Sequence, residues 1–210
     1  MGINDRRRRE REKRGEKILN VARRIFLKKG IHDTTMEDIA RESELGKGTI
    51  YLYFKNKEEL VYSIMYKSFL TVKEMMEEVA SMDLPGIERI RKLEEVVVRY
   101  YAMYSDYFMF TKYFDFNFTA GSEEGSAAYR CSRLIDEFVD LFAQVIRDGV
   151  TDGSIRKDIE PEMTAVIYAN IIMSFIYKIH DMGKIINQRM RLTPEELIRH
   201  MLDIIVYALN

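Results

Sequence analysis

The sequence predicts an all-α chain of about nine helices, and three observations predict it. Apolar residues recur at i, i+3 and i+4 spacing through most of the 210 residues. Capping and stop signals divide that pattern into helix-length pieces. The one segment dense enough in aromatics to suggest a strand has no partner strand elsewhere. The spacing predicts a basic arm over 1–14, a three-helix head over 15–60 and a larger helical body over 61–210.

Composition narrows the class. The chain is 47% hydrophobic and 32% charged, an ordinary soluble composition. Its net charge of −1 hides an asymmetry. Residues 1–60 carry 16 basic and 11 acidic side chains, whereas the remainder carries 17 and 23. A basic head on an acidic body points to a polyanion meeting the head alone. The single Cys131 forms no intrachain disulfide, which favours a reducing compartment. The three histidines, His32, His180 and His200, are far apart, so no metal and no cofactor is expected. The start is charged and lacks an apolar run, so no signal peptide is expected. Met163 to Tyr177, the longest uncharged segment, falls short of the roughly 20 residues of a membrane span, and Asn170 interrupts it. The expectation is a cytoplasmic protein with no membrane partner.

In chain order, residues 1–14 hold Arg6, Arg7, Arg8, Arg9, Arg11, Lys13 and Arg14. Such a run reads as a flexible arm that orders on DNA. Ile18, Val21, Ala22, Ile25 and Phe26 form the stripe of the first helix, which Gly30 stops. Thr34 and Glu37 read as a capping box opening the second helix, whose buried face is Met36, Ile39 and Ala40. Ser43-Glu44-Leu45-Gly46 is a turn, with Leu45 plugging the angle and Gly46 capping the third helix. In that third segment Ile50 and Phe54, four apart, enter the core. Lys47, Thr49, Tyr51 and Tyr53 are left for the other faces. A cation, a hydroxyl and two phenols are groups that meet phosphates and base edges. This reads as the recognition helix of a DNA-binding helix-turn-helix. Asn56 and Glu59 then cap a fourth helix running to about Met82.

Thr34-Thr35, Ile39-Ala40, Gly48-Thr49-Ile50-Tyr51-Leu52-Tyr53-Phe54 and Lys57-Glu58-Glu59-Leu60, in this order over residues 14–62, resemble the TetR/AcrR family of bacterial transcriptional regulators. The resemblance implies a DNA-binding head, a helical ligand-binding and dimerisation domain, and a homodimer on operator DNA. It also implies that Thr34 or Thr35, Tyr53 and Lys57 bind phosphates, and that Lys47, Gly48, Thr49 and Tyr51 lie in the major groove. The family's turn usually carries Gly where Glu44 stands and Ser where Gly46 stands.

In the body, Ile87 to about Tyr104 forms the next helix. Tyr100 to Phe118 is aromatic at nearly every other position, and predicts a short helix around 106–116 before a loop through 121–126. We expect an apolar, aromatic-walled pocket for a small-molecule effector. Its candidate lining is Met103, Tyr104, Phe108 and Phe114, with Phe138 and Phe142 from the following helix and Asn170, Met173 and Tyr177 from a later one. Residues 127–149 form a helix that Gly149 stops. Pro161 opens a helix apolar on all sides from Met163 to Ile179, which must be wholly buried. Thr193-Pro194-Glu195-Glu196 caps the last. These two helices are expected to pair with their copies in a homodimer through Ile167, Ile171, Phe175, Met201 and Ile205.

No catalytic constellation is present, so no enzyme is expected. There is no Glu-x-x-His pair of the di-iron type, no Gly-rich phosphate loop and no Gly-x-Ser-x-Gly elbow. The expected function is a dimeric repressor released from an inverted-repeat operator by an apolar or aromatic ligand. The alternative is a dimeric DNA-bound accessory or structural factor without an effector.

Overall fold

The computed structural model describes residues 3–107, 110 and 122–210. The described residues form eight α-helices and one 3-10 turn, with no strand among them. The helices are α1 (Ile3–Lys29), α2 (Met36–Glu42), α3 (Lys47–Tyr51), α4 (Lys57–Ala80), α5 (Gly86–Tyr104), α6 (Ala127–Asp152), α7 (Pro161–Met190) and α8 (Pro194–Leu209). They divide into two units. The head takes in residues 3–67 and 122–130; the body takes in 68–107, 110 and 131–210. The head is therefore larger than residues 15–60. Its boundary lies inside α4, which is one unbroken helix.

Residues 3–14 are not an irregular arm. α1 continues through them, and residues 4–14 are solvent-exposed. Arg6 pairs with Glu10 at 2.9 Å and Arg8 with Glu12 at 3.9 Å, both at i,i+4. Each such pair stabilises a helix by only a few tenths of a kcal/mol, about 0.2–0.5. The interspersed acids convert a repelling basic run into one compatible with a helix. Further along, Ile18, Ala22 and Phe26 of α1 are buried, as are Ile39 of α2, Ile50 of α3 and Leu60 and Val61 of α4. Gly30 takes φ 88°, a left-handed conformation suited to a helix stop. Glu44 in the turn takes φ 57°, where the family prefers glycine, at a cost of about 1 kcal/mol.

The start of α2 differs from the expected capping box. Thr35, not Thr34, is the cap: its hydroxyl accepts from Asp38 N–H at 3.1 Å, and its own N–H donates to Asp38 Oδ2 at 3.1 Å. At α4 the Asn56 carboxamide accepts from Glu59 N–H at 2.8 Å. The Glu59 carboxylate also accepts from Ala127 N–H at 3.3 Å.

The body is built around a core drawn from the second half of α4, α5, α6, α7 and α8. Gly149 does not stop α6, which continues to Asp152; Gly153 with φ 80° comes next. Gly149 is a point of close approach, since a methyl at Gly86 would overlap its backbone. The N-terminus of α5 is fixed at the same place. Gly86 N–H donates to Asp152 Oδ2 at 2.8 Å and Ile87 N–H to Ser154 Oγ at 3.1 Å. These contacts satisfy two orphan amides that Pro85, the residue before the helix, has no side-chain group to cap. The expected Thr193–Glu196 capping box and Pro161 at the start of α7 are both present.

In the single chain α7 is buried along one side only. Ala165, Tyr168, Ile172, Ile176 and Ile179 are buried, but Met163 is 65% exposed and Ile167 51%. On α8, Ile204 is 58% and Tyr207 85% exposed. By length and composition alone, Pro161–Gly183 is also long and apolar enough to cross a membrane. The exclusion drawn from Met163–Tyr177 does not hold, because the helix extends well past its uncharged middle.

Of the aromatic segment, Ser105–Tyr107 is a 3-10 turn. The helix expected around 106–116 and the start of the loop over 121–126 lie largely outside the described residues, as do Phe108 and Phe114. Tyr100, Tyr104, Tyr107 and Phe110 succeed one another as ring contacts with centroids 5.2, 5.2 and 5.9 Å apart.

Candidate nucleic-acid interface

The recognition segment is a five-residue helix held from behind. Ile50 is fully buried and Phe54 nearly so, and Gly46 accepts the first helical bond from Thr49 N–H at 2.8 Å. With two apolar anchors inward, Lys47, Gly48, Tyr51 and Leu52 are exposed and Thr49 and Tyr53 half-buried. Of the groups named from the sequence in this segment, Lys47, Gly48 and Tyr51 are therefore the most accessible.

Their partners give each a more specific place. Lys47 pairs with Glu37 at the start of α2, and its ammonium lies 5.9 Å from the Tyr51 ring centre. The pair raises the Lys47 pKa and lowers that of Glu37. Tyr53 packs on α1. Arg11 lies over its ring at 5.7 Å, and a Cβ at Gly15 would stand 3.5 Å from Cδ1. Lys57 Nζ donates to the carbonyls of His32 at 3.0 Å and Thr34 at 3.1 Å, tying down the loop before α2.

Of the two threonines, Thr35 is exposed and Thr34 is not. Thr34 is 1% exposed, and its hydroxyl donates to Gly30 O at 2.6 Å. That hydroxyl holds the turn and does not face outward. Asp38 is held well below the usual carboxylate range, first by Lys29 at 2.7 Å, then by the Thr35 N–H and by Arg41 at 2.6 Å. It is committed to the head's own framework.

Glu37 and Leu52 are exposed beside Lys47 and Tyr51 and were not read from the sequence as candidate contacts. Arg7, Arg11 and Arg14 share a helical side at i, i+4, i+7 spacing, a pattern visible once residues 3–14 are taken as helix. Leu52, 74% exposed beside Tyr51, carried no sequence signal other than its hydrophobicity.

Of the expected pocket residues, Phe108 and Phe114 lie outside the described residues, and the others have the following surroundings. Met103, Asn170, Met173 and Tyr177 are exposed. Phe142 is in the core against Tyr168, with ring centres 4.7 Å apart. Phe138 is half-buried, edge-on to Phe69 at 6.0 Å, and Tyr104 sits in the ring series described above. Among the expected dimer residues Ile167 and Ile171 are exposed, and Phe175, Met201 and Ile205 are half-buried.

Comparison with known proteins places the chain among helical DNA-binding regulators. Residues 18–64 match the family model described as bacterial regulatory proteins, tetR family. Over 162 residues the chain is 28% identical to YhgD of Bacillus subtilis, an uncharacterized HTH-type transcriptional regulator, covering 76% of this chain and 81% of that one. A TetR/AcrR-family regulator from Thermobifida fusca superposes with a TM-score of 0.71 at 20% identity, covering 92% of this chain and 97% of that one. AibR, solved in complex with isovaleryl coenzyme A and operator DNA, superposes with a TM-score of 0.66 at 19% identity, covering 91% and 97%.

Proposed function

We propose that this chain, which belongs to the TetR/AcrR family of bacterial transcriptional regulators, acts in the cytoplasm as a homodimeric repressor released from an inverted-repeat operator by a small ligand. The observation that carries the DNA reading is the division of α3 and its C-terminal turn. Ile50 and Phe54 bind this segment to the head's core, while Lys47, Gly48 and Tyr51 are exposed and Thr49 is half-exposed. In this reading Lys47, Gly48, Thr49 and Tyr51 enter the major groove, and Thr35 with Tyr53 meets flanking phosphates. Lys57, already holding two carbonyls, has one remaining N–H for a phosphate.

The apolar faces of α7 and α8 support the dimer. Met163, Val166, Ile167 and Ile171 on one helix and Ile204 and Tyr207 on the other are exposed in the single chain. Contiguous apolar surface of this kind marks an interaction site, and a symmetric pair of copies covers it on both molecules at once. A membrane-spanning role fits less well. The opposite edge of α7 is committed to the body core, including Tyr168, whose hydroxyl donates to Glu94 at 3.0 Å.

Ligand control would act by population shift. A ligand favouring the DNA-incompetent state draws the dimer off the operator, and α4, continuous from body to head, carries the change. The second reading is a DNA-bound accessory factor without an effector; a ligand titration against DNA release separates the two.

The DNA reading is tested with an operator selected from a random duplex library. Lys47→Ala combined with Tyr51→Ala is expected to weaken binding about 100-fold, two lost groove contacts at ~1–3 kcal/mol each, with the melting temperature unchanged. Undiminished affinity in the double variant would sink groove docking through α3.

A further inference from the structure

The pair formed by Glu37 and Lys47 sits on the face assigned to DNA, and a carboxylate is an unexpected group to find there. Both side chains are about half exposed, 55% and 53%. The turn of the helix-turn-helix brings them together from positions ten apart in the chain. Each is fixed from behind: Glu37 adjoins the buried Met36 in α2, and Lys47 opens the helix anchored by Ile50. The neighbouring Asp38 is occupied by Lys29, Arg41 and the Thr35 N–H, whereas the Glu37 carboxylate stands beside a recognition lysine.

A carboxylate near DNA repels every phosphate, so Glu37 weakens sequence-independent binding. It stabilises a complex only where a base offers it a donor. In the major groove cytosine offers its N4 amino group, and guanine offers the O6 and N7 acceptors that suit an ammonium. Lys47 has three N–H donors, so it can keep Glu37 in place with one and reach guanine with another. A fixed acceptor beside a fixed donor thus matches the edge of a G·C pair. An A·T pair suits the couple less well: its one donor, adenine N6, lies between the acceptors N7 and thymine O4, so it offers the ammonium no two adjacent acceptors with a donor beyond them.

Resting on the DNA-binding reading above, we propose that Glu37 is a specificity-determining residue. Together with Lys47 it reads one G·C pair in each half-site, with its carboxylate accepting from the cytosine amino group. The pairing with Lys47 in the DNA-free chain holds the acceptor in position before the groove is met.

The test compares wild type and Glu37→Gln in selection from random duplexes, then in affinity measurements on single-base variants of the selected operator. Wild type should select a G·C pair at one position of each half-site and lose about tenfold or more when it becomes A·T. Glu37→Gln should bind random duplex more tightly and lose the preference at that position alone. It should move toward adenine there, since a carboxamide pairs with adenine N6 and N7. Melting temperature should be unchanged, as the pair is solvent-exposed. If Glu37→Gln raises affinity for every duplex by one common factor and selects the wild-type sequence, the carboxylate is only an electrostatic brake and the proposal is overturned. If wild type selects no sequence at all, the DNA-binding reading itself fails, and this proposal with it.

Discussion

Gly86→Ala is expected to destabilise the body by about 3 kcal/mol, the upper end of ordinary overpacking costs. The added methyl would overlap the Cα and N of Gly149 and stand 2.9 Å from Val145 O, so backbone rather than a pliant side chain must give way. Moving α5 away would also pull Gly86 N–H from Asp152 and Ile87 N–H from Ser154. Helix propensity predicts the opposite sign, because alanine is the better helix former by about 1 kcal/mol. Chemical denaturation of the variant distinguishes the two directly. Gly48→Ala is the control, since nothing lies within 4 Å of where its Cβ would stand. A Gly86→Ala chain as stable as wild type would mean that α5 and α6 are not in backbone contact there.

Glu94→Gln is expected to remove a large part of the pH dependence of stability. Glu94 is buried on α5 and accepts from the Tyr168 hydroxyl at 3.0 Å. Burial pushes its pKa from 4.5 up to about 7, opposed by the Tyr168 hydrogen bond and by Arg91, and assisted by Asp203. The folded state therefore holds a proton more tightly than the unfolded chain. Below about pH 4.5 the group is neutral in both states and costs nothing through ionisation. As pH rises from there through 7, the unfolded chain ionises first and gains, and stability falls by on the order of 3 kcal/mol. Glutamine cannot ionise yet keeps an oxygen for Tyr168. The variant should resemble wild type near pH 4.5 and exceed it near pH 8. Parallel stability curves for the two proteins across that range would contradict a protonated, buried Glu94.

The head was legible because its signals are local. Ile50 and Phe54 set four apart fix which side of the recognition segment turns inward, and burial obeys that spacing. What escaped depends on choices between equivalent local patterns. Thr34–Glu37 and Thr35–Asp38 have the same spacing, and the left-handed Gly30 and the Thr34 bond to its carbonyl decide between them. In residues 3–14 the arginines dominate by number, and only the i+4 acids reveal that a helix is compatible with them. Gly149 reads as a helix stop until the chain brings Gly86 against it from a distant position in sequence. Most of the expected pocket residues are aromatic. Aromatics serve cores and ring contacts equally well, as Phe142 against Tyr168 shows. The uniform apolarity of α7 did state that both sides need cover; the single chain covers one of them.

The central claim is that two copies, joined through α7 and α8, present their α3 helices to one duplex. It is tested by measuring affinity and stoichiometry on the selected inverted repeat, then on the same repeat with five base pairs inserted between half-sites, about half a helical turn. The account predicts that one dimer binds the original duplex. The insertion should cost more than about tenfold in affinity, because it turns the second half-site to the other face of the helix. Binding by a single copy, or affinity indifferent to the insertion, would contradict it.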